Sequence, residues 1–167
     1  MNTISSIKVR MGDNNSLFNT QTKILLVEDT PMLQIMHTRF LENFGCHVEL
    51  AKTGLEALDL AKKGYDAIIL DIDLPDLCGI SVASAIRNEE KFGKFNKRNT
   101  LIALTAFNDS LKQDCYTVGF DDFYTKPIHP DQLKGVLMRW LPSHCKQELF
   151  KNIPAMQKPV NLYCHEA

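Results

Sequence analysis

Residues Tyr65–Gly79 read YDAIILDIDLPDLCG, and this stretch decides the fold. Ala67-Ile68-Ile69-Leu70 is a short unbroken apolar run bounded by turn-forming residues. Such a run fits a central strand of a parallel sheet, covered on both faces. It stops at Asp71, followed by Asp73, Pro75 and Gly79. In open α/β sheets, ligands bind in the crevice beyond the carboxyl ends of the strands. A carboxylate placed there is a candidate for chemistry, although an Asp at a strand end also serves as an ordinary turn cap.

Upstream, Lys23–Val27 is a second buried-strand run, and it stops at Glu28-Asp29. Thr30 is placed to cap a helix whose first residue is Pro31. Leu33, Met36, Phe40 and Phe44 then share one helical face, widened by Met32 and Ile35, and Gly45 closes the helix. Cys46–Ala51 reads as a third strand. Thr53 and Glu56 have capping-box spacing, ahead of Leu55, Leu58 and Ala61, with Gly64 as the stop.

Downstream, Gly79–Arg87 reads as a helix that packs through Ile80, Val82, Ala83 and Ile86. The span Asn88–Thr100 is polar, with Lys91, Lys94, Lys97, Arg98, Phe92 and Phe95. Glu89 and Glu90 beside it favour a solvated connection, or an extension of the helix, over a nucleic-acid patch. Leu101–Thr105 is a fourth strand, ending in a hydroxyl. A helix over Asp109–Val118 is closed by Gly119. Phe120–Thr125 is a fifth strand, interrupted by Asp121-Asp122 and followed by Lys126-Pro127. Pro130–Leu141 is the last helix, with Leu133, Val136, Leu137, Trp140 and Leu141 facing the core. Strand and helix alternate five times, which predicts a doubly wound parallel α/β sheet with helices on both faces.

The chain has 167 residues, is 44% hydrophobic and carries a formal net charge of −1. These values fit one globular domain with a real core and give no sign of a nucleic-acid or membrane binder. No apolar run approaches the ~20 residues that span a bilayer, and the N-terminus lacks signal-peptide character. Five scattered cysteines without a CxxC pair read as reduced cytosolic thiols, most of them core fillers. The expected organisation is a polar leader over 1–21, a folded unit over 22–142 and an extension over 143–167. The pairs His144-Cys145 and Cys164-His165 lie too far apart to read as a zinc site.

A parallel sheet gathers all its carboxyl ends along one edge. Glu28-Asp29, Asp71, Thr105 and Lys126 therefore converge from distant parts of the chain. Crowded carboxylates repel, and a hard divalent cation such as Mg²⁺ relieves that repulsion through oxygen ligands. Such a metal would neutralise an incoming phosphoryl group, Lys126 would pair with its oxygens and Thr105 would donate to them. An Asp carboxylate is a competent covalent acceptor of phosphoryl groups.

The motifs LLVEDT at 25–30, LDIDLPDLCG at 70–79, ALTA at 103–106 and TKP at 125–127 resemble those of the receiver domain of two-component response regulators. The resemblance runs over Ile24–Trp140. It implies the flavodoxin-like (βα)5 fold with strand order 2-1-3-4-5, for which a receiver protein is itself a standard example. It implies Asp71 as phosphoacceptor, Asp29 as a direct Mg²⁺ ligand with Glu28 as its companion, and the backbone carbonyl of Asp73 as a further ligand. Thr105 resembles the switch hydroxyl, Lys126 the phosphate-binding lysine before a cis Lys-Pro bond, and Phe123 the switch aromatic, with Tyr124 on the opposite face. On phosphorylation Thr105 would be drawn inward and Phe123 would follow it to the interior.

The implied partners are a histidine kinase, a histidine phosphotransfer protein and, on phosphorylation, a second copy of the chain. A direct role with nucleic acid or membrane is not implied, and the setting is cytoplasmic. Details such as VEDTPMLQ and GFDDFYTKP resemble receivers of hybrid histidine kinases. The expectation is thus a free-standing receiver that shuttles phosphate or binds a partner when phosphorylated. It would catalyse only its own phosphorylation and dephosphorylation.

Two departures stand out. The Asn88–Thr100 span is longer and more basic than is usual, and the acidic side chain of Asp73 changes how water reaches an acyl phosphate. A haloacid-dehalogenase-type phosphatase would also use an Asp-x-Asp such as Asp71-Ile72-Asp73. Here the acidic pair Asp121-Asp122 precedes Lys126, the reverse of that pattern, and Glu28-Asp29 would go unexplained. A phosphate-independent scaffold on the same fold is favoured by no residue.

Overall fold

Five parallel strands lie in the order β2-β1-β3-β4-β5. The computed structural model describes residues 21–95, 97–106 and 111–148. The expected leader, apart from Gln21, the start of the helix at Asp109 and the end of the extension, including Cys164-His165, lie outside the described residues. In chain order the elements are β1 (Lys23–Val27), α1 (Pro31–Asn43), β2 (His47–Ala51), α2 (Gly54–Ala61), β3 (Ala67–Asp71) and α3 (Gly79–Lys91). Then come β4 (Thr100–Thr105), α4 (Lys112–Val118), β5 (Asp122–Thr125), α5 (Pro130–Trp140) and α6 (Ser143–Glu148).

The strand alternation divides the core in two. Leu25, Val27, Ile68 and Leu70 join Ala57, Val82, Ile86 and Cys115 of α2, α3 and α4 on one face. Ile24, Leu26, Ile69 and Leu104 join Leu41, Val136 and Leu137 of α1 and α5 on the other. Cys145 of α6 is also buried in this second layer. β3 is buried along its whole length, as its unbroken apolar run demands.

Several local expectations need correction. Phe40 and Phe44 pack into the second core layer as expected, but the buried residues within α1 are Gln34, His37 and Leu41, while Met32 is 74% and Ile35 54% exposed. The helix is turned by Gln34, whose amide donates to the carbonyls of Glu28 (2.8 Å) and Asp29 (3.1 Å). In α2 the buried residues are Gly54, Ala57 and Ala61, and Leu55 is exposed. Gly54 packs where an added methyl would sit 2.8 Å from the Leu77 carbonyl, so only the small side of α2 fits against α3.

Thr53 caps α2 by accepting from the Glu56 N–H at 3.1 Å, but the Glu56 carboxylate reaches one residue further back, to the Lys52 N–H at 2.7 Å. Thr30 makes no side-chain cap to α1, and its hydroxyl donates to Asp29 instead. α3 runs on to Lys91 and absorbs the start of the polar span. β5 starts at Asp122, two residues later than the sequence suggests.

Gly79 shapes the turn after β3. A Cβ there would lie 2.3 Å from the Asp71 carbonyl oxygen and 2.8 Å from the Ile72 Cα. Both are backbone atoms that cannot step aside. Gly79→Ala should cost about 1–3 kcal/mol, seen as a lower urea midpoint at unchanged m-value. Gly135→Ala meets open space and should not destabilise.

Candidate functional site

The charged residues at the strand ends are held by backbone bonds that continue the sheet. The Glu28 N–H donates to Ala51 (3.0 Å), the Ile72 N–H to Leu104 (2.9 Å) and the Lys126 N–H to Thr105 (2.7 Å). Asp71 is the last residue of β3 and Thr105 the last of β4, and both are buried. The Lys126–Pro127 bond is cis.

These ends enclose a cleft of about 380 Å³, lined by Asp29, Thr30, Leu33, Asp71, Asp73, Ala106, Lys126 and Pro127. Lys126 Nζ lies 2.5 Å from Asp71 Oδ2 and 2.9 Å from Glu28 Oε2. The other Asp71 oxygen accepts from the Asp73 N–H at 3.0 Å. One carboxylate oxygen each from Glu28, Asp29 and Asp71 lie within 4.8 Å of one another. Three carboxylates against one ammonium leave a formal excess of two negative charges. The donors are all hard oxygens, so the set fits a divalent cation of the Mg²⁺ kind.

Burial pushes the Glu28 carboxyl above its ordinary value and Asp71 adds to this, while Lys126 opposes without reversing it. Burial works against the Lys126 ammonium too, but its bonds to Asp71 and Glu28 outweigh that and hold its pKa above the usual lysine value.

All the residues singled out at the strand ends meet here. Thr105 donates to Asp73 Oδ2 at 3.1 Å rather than facing Asp71 alone. Phe123 and Tyr124 lie on opposite faces as expected. Phe123 is already inside, 7% exposed and packed in the core layer of α2–α4, so the expected inward movement has no outward starting position in this structure.

Residues 24–138 match the response regulator receiver domain. The chain belongs to the response regulator receiver family. Hybrid signal transduction histidine kinase L of Dictyostelium discoideum is 35% identical over 127 residues, covering 71% of this chain and 7% of that protein. The chain thus spans a small part of that relative, as it spans 25% of yeast transcription factor SKN7. Among solved structures, the receiver domain of the Pseudomonas aeruginosa sensor kinase PA1611 is 36% identical with a TM-score of 0.64. The match covers 72% of this chain and 97% of that one, and magnesium is coordinated in that protein's active site cleft. The Saccharomyces cerevisiae co-crystal structure of the phosphotransfer protein Ypd1 with the receiver of Ssk1 gives a TM-score of 0.67. It is 31% identical, over 79% of this chain and 94% of that one. The chain is therefore a two-component receiver, and the phosphatase reading is not favoured.

Sequence reasoning missed two buried polar residues of this receiver, Gln34 and His37. A polar pair on an otherwise apolar helix face was their only signal. His37 is 1% exposed, its Nδ1 lies 3.9 Å from Glu28 Oε2, and neither ring nitrogen has a hydrogen-bond partner among the described residues. Burial first, then the nearby Lys126 charge, lower its pKa from 6.5 to about 4.

The folded state therefore favours neutral His37, and the unfolded chain binds more protons between those two values. This stability is present above pH 6.5 and is lost as pH falls towards 4. The His37 part of this loss should amount to about 3 kcal/mol, and the raised Glu28 carboxyl works in the opposite direction, so the difference between wild type and a His37 variant isolates it. Urea unfolding across this window should show it, and His37→Leu should flatten the profile.

Proposed function

We propose that this receiver takes a phosphoryl group onto Asp71 from a phosphohistidine and either signals by switching or passes the group to a histidine phosphotransfer protein. The observation that carries this reading is the pairing of Asp71 with Lys126, beside Glu28 and Asp29, at the mouth of an open cleft. A carboxylate oxygen of Asp71 attacks phosphorus and an O–P bond forms. The P–N bond breaks, and its electron pair returns to the donor imidazole. Lys126 then shifts from the carboxylate to a phosphoryl oxygen, and Thr105 donates to another.

Asp29 and Asp71, with the Asp73 carbonyl, would hold Mg²⁺, and Glu28 would assist. When bound, the ion neutralises charge developing on the transferred group. Thr105 would be the switch hydroxyl, with Phe123 already inside before phosphorylation, and partner affinity would change through the surface of α4, β5 and α5. We assign 22–142 to the receiver unit, 1–21 to a leader and 143–167 to an extension that begins with α6. A cytoplasmic setting fits these thiols and the absence, among the described residues, of a helix long and apolar enough to cross a membrane.

Acetyl phosphate with Mg²⁺ should label the protein once, in a hydroxylamine-labile linkage. Asp71→Asn should abolish the label and keep the fold. Repeated turnover of an aryl phosphate would point instead to a phosphatase.

The donor must approach Asp71 in line, so its partner covers the strand-end edge. Met32 and Ile35 there are exposed, and Leu33 and Pro127 line the cleft. Adaptable Met side chains suit docking to related helical partners, and the yeast receiver Ssk1 has been crystallised with the phosphotransfer protein Ypd1. Met32→Lys should slow transfer from a cognate phosphohistidine protein about tenfold, the effect of losing one good contact. Labelling by acetyl phosphate and thermal stability should be unchanged. Loss of folding would make Met32 a core residue, and an unaltered transfer rate would remove α1 from the interface.

A further inference from the structure

We infer that the Asp73 side chain is a latch that occupies the switch donors until a phosphoryl group displaces it. The inference rests on the phosphoacceptor reading of Asp71. The Thr105 hydroxyl and the Ala106 N–H both donate to one oxygen, Asp73 Oδ2, at 3.1 and 3.4 Å. Two donors converging on one anionic oxygen form an oxyanion-binding pair. Here an internal carboxylate fills it.

The placement makes this a competition. The backbone N–H of Asp73 holds Asp71 Oδ1 at 3.0 Å, so the residue touches the acceptor through its main chain and the switch through its side chain. Asp73 and Ala106 both line the cleft in which Asp71 sits. A phosphoryl group on Asp71 brings oxygens of the same kind, with more charge, to the same donors. Two anions cannot share them, because the carboxylate and the phosphoryl oxygens repel at this range.

Asp73 therefore leaves when the phosphoryl group arrives, and the unphosphorylated state is stabilised by the bonds it gives up. The Asp73 side chain is exposed, so its release needs no repacking of the core. The same residue couples the ends of β3 and β4 before phosphorylation and uncouples them afterwards. The acidic residue at this position thus sets how readily the switch turns.

The test uses the full chain and beryllofluoride with Mg²⁺ as a phosphoryl mimic. Wild type, Asp73→Ala, Thr105→Val and the double variant are compared, with binding followed by amide NMR. A hydrogen bond to a charged acceptor is strong enough to move an equilibrium about tenfold. Asp73→Ala should accordingly bind the mimic about tenfold more tightly. In the ligand-free protein its Ala106 amide proton should move upfield, as a hydrogen bond to a carboxylate is lost. In the Thr105→Val background the gain from Asp73→Ala should shrink several-fold, because one contested donor is gone.

Equal affinities of wild type and Asp73→Ala would overturn the latch. So would an equal gain in both backgrounds, which is the signature of plain charge repulsion. An unmoved Ala106 amide would overturn it without reference to any ligand. Tight mimic binding by Asp71→Asn would instead overturn the acceptor assignment, and the competition with it, while the ligand-free amide shift would still report the Asp73 contact.

Discussion

The contact on which the site depends is the ammonium of Lys126 set between the carboxylates of Asp71 and Glu28. The three charges come from the ends of β5, β3 and β1, and they are largely removed from water. A buried carboxylate pair without a cation would neutralise by taking up a proton. With Lys126 between them, one positive charge serves two negative ones and the cluster keeps a negative excess. That excess is what a divalent ion would answer. The geometry needs no flexible loop to set it. The residues are pinned by ladder-type bonds from Glu28, Ile72 and Lys126 to the neighbouring strands. The register of the sheet therefore fixes the spacing of the charges.

The opposite edge of the sheet shows the same physics used for structure alone. Arg87 of α3 donates to the Gly119 carbonyl (2.9 Å), to Glu90 (2.7 Å), to the Asn99 carbonyl (2.9 Å) and to Asp121 (3.0 Å). Asp121 also accepts from the first core residue of β4, Leu101, at 2.8 Å. Around this node the basic span folds back on acids: Lys94 meets Glu89, Lys97 meets Asp66 and Arg98 meets Asp121. Cations that look like an open patch in the sequence are thus largely compensated within the fold. Removing Arg87 would leave Asp121 to Leu101 and Arg98 and Glu90 to Asn99, so the loss would fall mainly on the Gly119 and Asn99 carbonyls that Arg87 also satisfies.

The sheet was legible because its signal is local. KILLV and AIILD can hardly be anything but buried strands, and Gly45, Gly64 and Gly119 stop their helices at positive φ. The site was legible because a parallel sheet converts strand ends into neighbours. What was not legible was the polar part of the inward face of α1 and the partners of Asp121-Asp122, and the cause is common to both. Gln34 is buried by two backbone carbonyls across a turn. Asp122 is held by Tyr124, Arg139 and Trp140, which approach from β5 and α5. Hydrophobic periodicity carries no trace of partners that exist only after folding. A polar residue on a buried face therefore reads as an error until its acceptor is found.

The two sides of α1 answer different demands. Its start must close over the Glu28-Asp29 turn, where main-chain carbonyls would otherwise be buried without donors, and an amide meets that need better than a methyl. Once Gln34 and His37 take the inward positions, the helix cannot also bury Met32 and Ile35, which lie on another side of a 3.6-residue turn. A single exposed Leu or Met on a protein surface carries no meaning. Two exposed ones a turn apart, on a helix that also lines the cleft through Leu33 and supports the acidic pair through Gln34, are a different matter. The rotation that turns Gln34 to the Glu28 and Asp29 carbonyls also leaves Met32 and Ile35 exposed on the helix whose Leu33 lines the cleft. On the proposed function, the acceptor carboxylate of Asp71 and the surface that would admit a phosphate donor are therefore linked through one amide side chain.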